Sequence, residues 1–394
     1  MEIARQALFR ALRKGDAAML AAVLGQGVAV TYEADDPGPV FLQALASDID
    51  VVRLLAMLGE AGGDAATVSR EDGRGGLHWS VGRASPNALD WFLGRGLDVN
   101  LGDAAGVTPL MAAILAAGRA LQAGLRDAFR LLDAGADAGR IDFEGRSALH
   151  LAAQGGLSGL ITRLIDAGAI VDGQDALGTT PLLYAVEAGQ LACVEALVAA
   201  GADVTLPAAG GFGALHNIAA TEAGQMTTAH LAIAERLIAA GIDVERVDGQ
   251  GRSALCWAAA YDNGDMIDLL LRHGADPDAN GGYGLREALL NGRGKVVALL
   301  LAAGARTDIA EAETGNLPLH VAAEADDVGS VEALLERGAL IEAVNVDGET
   351  ALLVAARSGR AAVADVLLRG GADAACRDAY GSNFQMWTER RRLK

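Results

Sequence analysis

GRSALHLAA spans Gly145–Ala153, and GRSALCWAA spans Gly251–Ala259. Seven of the nine residues agree, and the exceptions replace His150–Leu151 with Cys256–Trp257. Matched histidine and cysteine positions mean either chemistry in two places or one structural slot filled twice. The rest of the chain decides between them. The four-residue core reads GPVF at 38–41, GGLH at 75–78, TPLM at 108–111, SALH at 147–150 and TPLL at 180–183. It continues as GALH at 213–216, SALC at 253–256, LPLH at 317–320 and TALL at 350–353. Four of the intervals are 33 residues; the others are 37, 39, 40 and a 64 that spans two units. A fixed period of this length marks a solenoid of stacked supersecondary units.

Each element of the period has a physical task. Gly or Asp ahead of the core makes a tight turn. Thr or Ser at the first core position caps a helix, and Pro follows where a missing N–H costs nothing. The core Leu is an interior residue, and the Ala-Ala after it lets two helices approach closely. Gly156 and Gly189 end first helices. In LACVEALVAAGA the residues Leu191, Val194, Leu197 and Val198 give a second helix its apolar stripe. Gly201 closes that helix in a left-handed conformation, and the aspartate after it opens an extended finger toward the next unit.

The T-P-L-H, A-A and G-A-D elements at 33-residue spacing resemble the ankyrin-repeat family, over about residues 1 to 385. The resemblance implies an all-α fold, an ankyrin-repeat solenoid of helix-turn-helix units with extended hairpin fingers. On this reading residues 1–30 form an N-terminal capping half-unit, and 31–378 form an array of about ten units. Insertions fall near 118–127 and 221–230, the unit at 282–308 is degenerate, and 379–394 form a partial cap with a basic tail. His150 and Cys256 share a slot with His78, His216, His320, Phe41, Met111, Leu183 and Leu353. The resemblance implies that histidine there bonds the backbone of the neighbouring finger. A slot that accepts His, Cys, Leu or Phe is structural, not catalytic.

Composition agrees. Apolar residues make up 52% of the 394 but aromatics only 4%, which suits thin layers of closely packed helices. Lys14, Lys295 and Lys394 are the only lysines, and with the Ala and Gly excess they point to a GC-rich, bacterial coding sequence. The net charge of −19 disfavours nucleic acid and anionic membrane and favours a protein partner with a basic surface. Cys193, Cys256 and Cys376 form neither a disulfide framework nor a zinc pattern. Residues 17–30 lack a clear cleavage site for export, and no apolar run reaches the roughly 18–20 residues of a membrane span. A cytoplasmic protein is expected.

Motifs for catalysis are missing. Gly294–Lys295–Val296 lacks the rest of a phosphate loop, and no GxGxxG, HExxH or GxSxG occurs. The carboxylate pairs Asp35–Asp36 and Asp326–Asp327 read as solvated turns. Asp276, Asp278, Asn280, Gly281 and Glu287 match a calcium-loop pattern. However, G-A-D endings supply such an aspartate in most units, and Glu287 falls near a helix N-terminus where acids are favoured. We expect no metal, no cofactor and no enzyme activity.

Trp79, Tyr184 and Trp257 directly follow the core and are expected to pack. Fingertips and exposed ends of inner helices are not fixed by packing, so binding residues are expected there. On fingers these are Phe143, Glu144, Arg146, Leu177, Thr179, Phe212, Gln250, Arg252, Tyr283 and Tyr380. On the concave helix face they are Gln154, Glu187, Tyr261, Glu324 and Arg357. Arg74, Arg146 and Arg252 recur one residue before the core and should form a spaced row. The expected function is non-catalytic protein recognition. The alternative is an inhibitory, immunity-type subunit that neutralises a basic toxin or enzyme.

Overall fold

The architecture is that of a computed structural model, which describes residues 2–31, 40–45, 50–83, 87–222 and 224–392. Gly38 and Pro39 of the first core copy, the Asp35–Asp36 pair, Lys394 and the side chains of Arg390, Arg391 and Arg392 lie outside the description. Among the described residues the regular elements are helices, joined by fingers that carry single β-bridges. The chain divides into two compact units, one up to Asp203 and one from Val204 onward. In the first, helix pairs are Glu2–Lys14 with Ala17–Leu24, Val40–Ala44 with Val51–Glu60, and Gly76–Ser80 with Asn87–Leu93. Pro109–Ala117 then pairs with Leu121–Asp133, Ala148–Gln154 with Ser158–Asp166, and Pro181–Glu187 with Leu191–Ala199. In the second, Ala214–Ala219 pairs with Thr228–Ala239, Ala254–Ala260 with Gly264–Arg272, and Ala279–Leu290 with Gly294–Ala302. Pro318–Ala325 with Val328–Glu336 and Ala351–Ser358 with Ala361–Arg369 follow, and Phe384–Arg392 comes last.

Helix starts follow the cap chemistry. The hydroxyls of Thr108, Thr180 and Thr350 accept from the N–H groups of Met111, Leu183 and Leu353. Serine behaves differently. The Ser147 hydroxyl lies 2.9 Å from His150 Nδ1, and that of Ser253 lies 3.5 Å from Cys256 Sγ. The threonine units carry Met111, Leu183 or Leu353 in the fourth slot, so no side-chain acceptor competes for the hydroxyl there.

The core leucines Leu77, Leu110, Leu149, Leu182, Leu215, Leu255, Leu319 and Leu352 are buried. Each contributes about 1.5–3 kcal/mol of hydrophobic stabilisation. The alanine pairs Ala152–Ala153, Ala258–Ala259 and Ala322–Ala323 are buried beside them, as close packing requires. The second-helix stripe differs from expectation. Cys193, Val194 and Leu197 are buried, whereas Leu191 and Val198 are only half-buried. The helix starts at Leu191, which turns its first residue to the rim and brings the small Cys193 inward.

The fingers are built on one side chain. Asp142 Oδ1 accepts the N–H groups of Glu144 and Arg146 at 3.0 and 2.9 Å, and Asp103, Asp175, Asp248 and Asp378 do the same two and four residues on. Adjacent tips are joined by one backbone bond each. In the first unit Ala104 N–H donates to Asp72 O, Phe143 N–H to Ala105 O, and Ala176 N–H to Glu144 O. In the second, Gly249 N–H donates to Gly210 O, Val346 N–H to Thr314 O, and Ala379 N–H to Asp347 O. The approach is so close that a Cβ on Gly145 would meet Ala176 N at 2.8 Å. Gly145 also holds φ +80°. Gly251 holds φ +77°, yet a Cβ there meets nothing within 4 Å.

Gly145→Ala and Gly251→Ala therefore share a left-handed strain of about 1–2 kcal/mol, and only the first adds a collision with the next tip. Urea unfolding should show Gly145→Ala more destabilised by at least about 1 kcal/mol. Equal losses would contradict the close tip packing.

Candidate protein-interaction surface

The histidine slot carries two bonds. Nδ1 of His78, His150, His216 and His320 accepts the N–H of its own cap residue, Gly75, Ser147, Gly213 and Leu317, at 3.0–3.3 Å. Nε2–H donates to a finger carbonyl of the next repeat: Val107 at 2.9 Å, Thr179 at 3.1 Å, Arg252 at 3.1 Å and Glu349 at 3.0 Å. With Nδ1 accepting and Nε2 donating, the imidazole is neutral. Burial holds all four below their ordinary pKa. These histidines are occupied at both nitrogens and offer no general base. Cys256 faces the shortened finger of the following repeat, and its sulfur lies 3.5 Å from Asn280 Nδ2.

In the first unit the fingertips present Phe143 at 80% exposure and Leu177 at 69%. Glu144 is exposed, and its carboxylate lies 2.9 Å from Arg146 Nη1, while Arg146 Nη2 lies 2.9 Å from the buried Asp142. Arg74 likewise reaches Asp103 of the next finger at 2.9 Å. Gln154 and Glu187 are exposed at the ends of their helices. Thr179 is half-buried; its carbonyl receives His150 and its N–H donates to Asp175.

In the second unit an aromatic cluster forms. Phe212 packs between His216 and Trp257 at ring distances of 5.6 and 5.3 Å. The Arg252 guanidinium lies 3.9 Å from the Trp257 ring centre while its Nε donates to Asp248 at 3.1 Å. Tyr261, 37% exposed, lies 5.9 Å from Trp257. The Tyr283 phenol is pushed up by burial, with the Glu287 carboxylate adding to the rise, and the Arg286 guanidinium lies 4.9 Å from its ring centre. Gln250 and Glu324 are exposed, Arg357 pairs with Glu349 at 2.8 Å, and Tyr380 is 79% exposed at its tip. Arg74, Arg146 and Arg252 thus recur in register, each in an ion pair with a finger aspartate.

Sequence reasoning missed that aspartate. Tyr184 OH donates to Asp175 at 2.9 Å, Trp257 Nε1 to Asp248 at 3.0 Å and Trp387 Nε1 to Asp378 at 3.2 Å. The signal was a constant nine-residue interval from Asp to Tyr or Trp. Burial raises the Asp248 carboxyl, but the N–H groups of Arg252 and Gln250 and the Trp257 indole outweigh it and hold it low. Asp127, in the first insertion, was missed too: it is fully buried, and its Oδ2 accepts Gly82 N–H at 2.8 Å.

The calcium-like stretch folds into a helix start. Asp278 Oδ1 accepts Arg306 N–H at 2.8 Å, and Asn280 turns to Cys256. Among the described residues no group of three or more His, Cys, Asp or Glu is arranged to hold a metal, and no helix is long and apolar enough to cross a membrane.

Residues 117–208 and 285–378 match the family described as Ankyrin repeats (3 copies), and residues 250–281 match Ankyrin repeat. These matches take in more than half of the chain, and the chain belongs to the ankyrin-repeat family. Ankyrin repeats are in general protein-interaction modules and not catalysts. The human Ankyrin repeat and SOCS box protein 18 is 42% identical over 129 residues, 32% of this chain. The chain spans only 28% of that relative's length. The crystal structure of human ASB11 ankyrin repeat domain aligns at 25% identity and a TM-score of 0.49, covering 58% of this chain and 99% of that one. The human Ankyrin repeat and SOCS box protein 18 lends no support to a bacterial source.

The lowered histidines set a pH dependence. Below the ordinary value of 6.5 the unfolded chain binds more protons than the folded one, so stability is complete above that pH and declines as pH falls. The finger aspartates add a second loss only below about 3.8. Calorimetry should show Tm falling from pH 7.5 to 5.0, and a flat Tm there would contradict the neutral histidine bridge. At pH 7.5 His150→Leu should cost about 1–3 kcal/mol by orphaning Ser147 N–H and Thr179 O. Cys256→His should bring no gain, and stabilisation above about 1 kcal/mol would show an acceptor we do not see.

Proposed function

We propose that this chain binds a partner protein without catalysis, through its fingertips and the solvent-facing ends of its inner helices. The observation that carries the reading is the exposure of Phe143 and Leu177 on adjacent tips. Each is mounted on a turn locked by an aspartate, Asp142 or Asp175, and the two tips are joined by the Ala176–Glu144 bond. Large apolar groups presented on a rigid frame lose little entropy on binding and make effective anchors. Glu144, Arg146, Gln154, Thr179 and Glu187 surround them as a polar rim, and Phe212, Gln250, Arg252, Tyr261 and Tyr283 form a second patch. With 51 acidic against 32 basic residues, the chain steers toward a basic partner surface.

Phe143→Ala with Leu177→Ala should weaken the partner, recovered from the native host, by about ten- to a hundredfold. Tm should stay within about 2 °C, since both side chains are solvent-exposed. Surface plasmon resonance at two salt concentrations should also show association slowing as salt rises. Unchanged affinity in the double variant would remove the tips from the interface, and salt-indifferent association would remove the basic partner.

A further inference from the structure

The row of fingertips in the second unit is broken once. Ile242–Ser253 separate Gly241 from the helix Ala254–Ala260, whereas Ala275–Gly282 separate Gly274 from the regular part of the helix Ala279–Leu290, which begins after a kink at Asn280–Gly282. The finger is shorter and makes no tip-to-tip backbone bond among the described residues, and Asn280, Gly281 and Gly282, all left-handed, turn the chain into the helix. That helix packs between Ala254–Ala260 and Pro318–Ala325, so the shortened finger leaves a slot between the tip at Gln250–Gly251 and the tip at Ala312–Glu313. On one wall, Gln250 C=O occupies the position of Glu144 C=O and Asp347 C=O, yet among the described residues it receives no backbone N–H. On the other wall, neither Ala312 nor Glu313 donates its N–H to a backbone carbonyl of the described residues. The space itself is open. A Cβ on Gly73, Gly145 or Gly348 would meet the next tip's backbone at 2.8 Å, but one on Gly251 or Gly281 meets nothing within 4 Å, and one on Gly282 meets only the Ile309 side chain, at 3.3 Å.

We infer that this slot takes a turn of the partner protein, of the form Asp/Asn-x-x-Gly, which stands in for the missing fingertip. The inference rests on the protein-binding reading above and specifies its partner. The occupant is defined by the walls. Its backbone N–H donates to Gln250 C=O, and one of its carbonyls receives the N–H of Ala312 or Glu313. Its main chain lies against Gly251, where the absence of a side chain permits backbone contact. An aspartate- or asparagine-locked turn presents those groups, as this chain's own fingers do at Asp142 and Asn345.

The probe is a cyclic peptide with the sequence of residues 344–350, titrated calorimetrically into the full chain. It should bind one to one. Affinity should fall at least about tenfold in a variant whose Ala275–Gly282 is replaced by the finger Ala339–Glu349, because the graft fills the slot. Gly251→Ala, which carries the left-handed strain described above but places its methyl in open space, should weaken the peptide similarly, and it decides the matter if the graft does not fold. Failure of the peptide to bind the full chain, or equal affinity in the folded variants, overturns the slot. A native partner that binds the folded graft undiminished also overturns it and leaves the protein-binding reading standing.

Discussion

The imidazole that spans two repeats is the interaction on which the stack depends. One helix turn holds Nδ1 through its cap N–H, and the finger of the next repeat receives Nε2–H. A single side chain thereby fixes the start of a helix and the position of its neighbour. Because both nitrogens are buried and engaged, the ring is neutral, and losing it leaves a donor and an acceptor without partners. The fingertip bonds, such as Phe143 N–H to Ala105 O, extend the same coupling outward. Stability in such an array is a sum of unit and nearest-neighbour terms, and these bonds supply directed, register-setting contacts that leucine packing alone does not.

Most of the frame was legible in the sequence because it rests on local rules. Thr108 and Thr180 read as caps, Gly201 as a helix end, and Leu149 and Leu255 as core. Each role depends on the residue's own backbone or immediate neighbours. What escaped depends on contacts at longer range. The tie from Tyr184 to Asp175 and from Trp257 to Asp248 is invisible until the finger folds back on its helix. The apolar stripe of Leu191–Ala199 was misregistered because helical periodicity does not say which rim the first residue occupies. Asp276–Glu287 matched a cation-binding pattern letter by letter, yet Asp278 and Asn280 are drawn to Arg306 and Cys256.

The binding residues divide by the same logic. Exposed tips such as Phe143 and Leu177 could be placed on fingers from spacing alone. Thr179 and Phe212 were placed there too, but one supplies a carbonyl to His150 and the other fills space between His216 and Trp257. Arg252 serves the fold through Asp248 and Trp257 while its position faces the second patch. A guanidinium held over a ring is preorganised for a partner, though its ion pair limits what a new carboxylate would add.

Hydrogen exchange at the fingertips measures the coupling directly. If tip-to-tip bonds lock neighbouring repeats, the amides of Phe143, Ala176, Val346 and Ala379 exchange slowly despite their surface position, and the Ala312 amide, facing the shortened finger, exchanges at the rate of an open loop. Fast exchange at all five, or protection of Ala312 equal to that of Val346, would contradict the account.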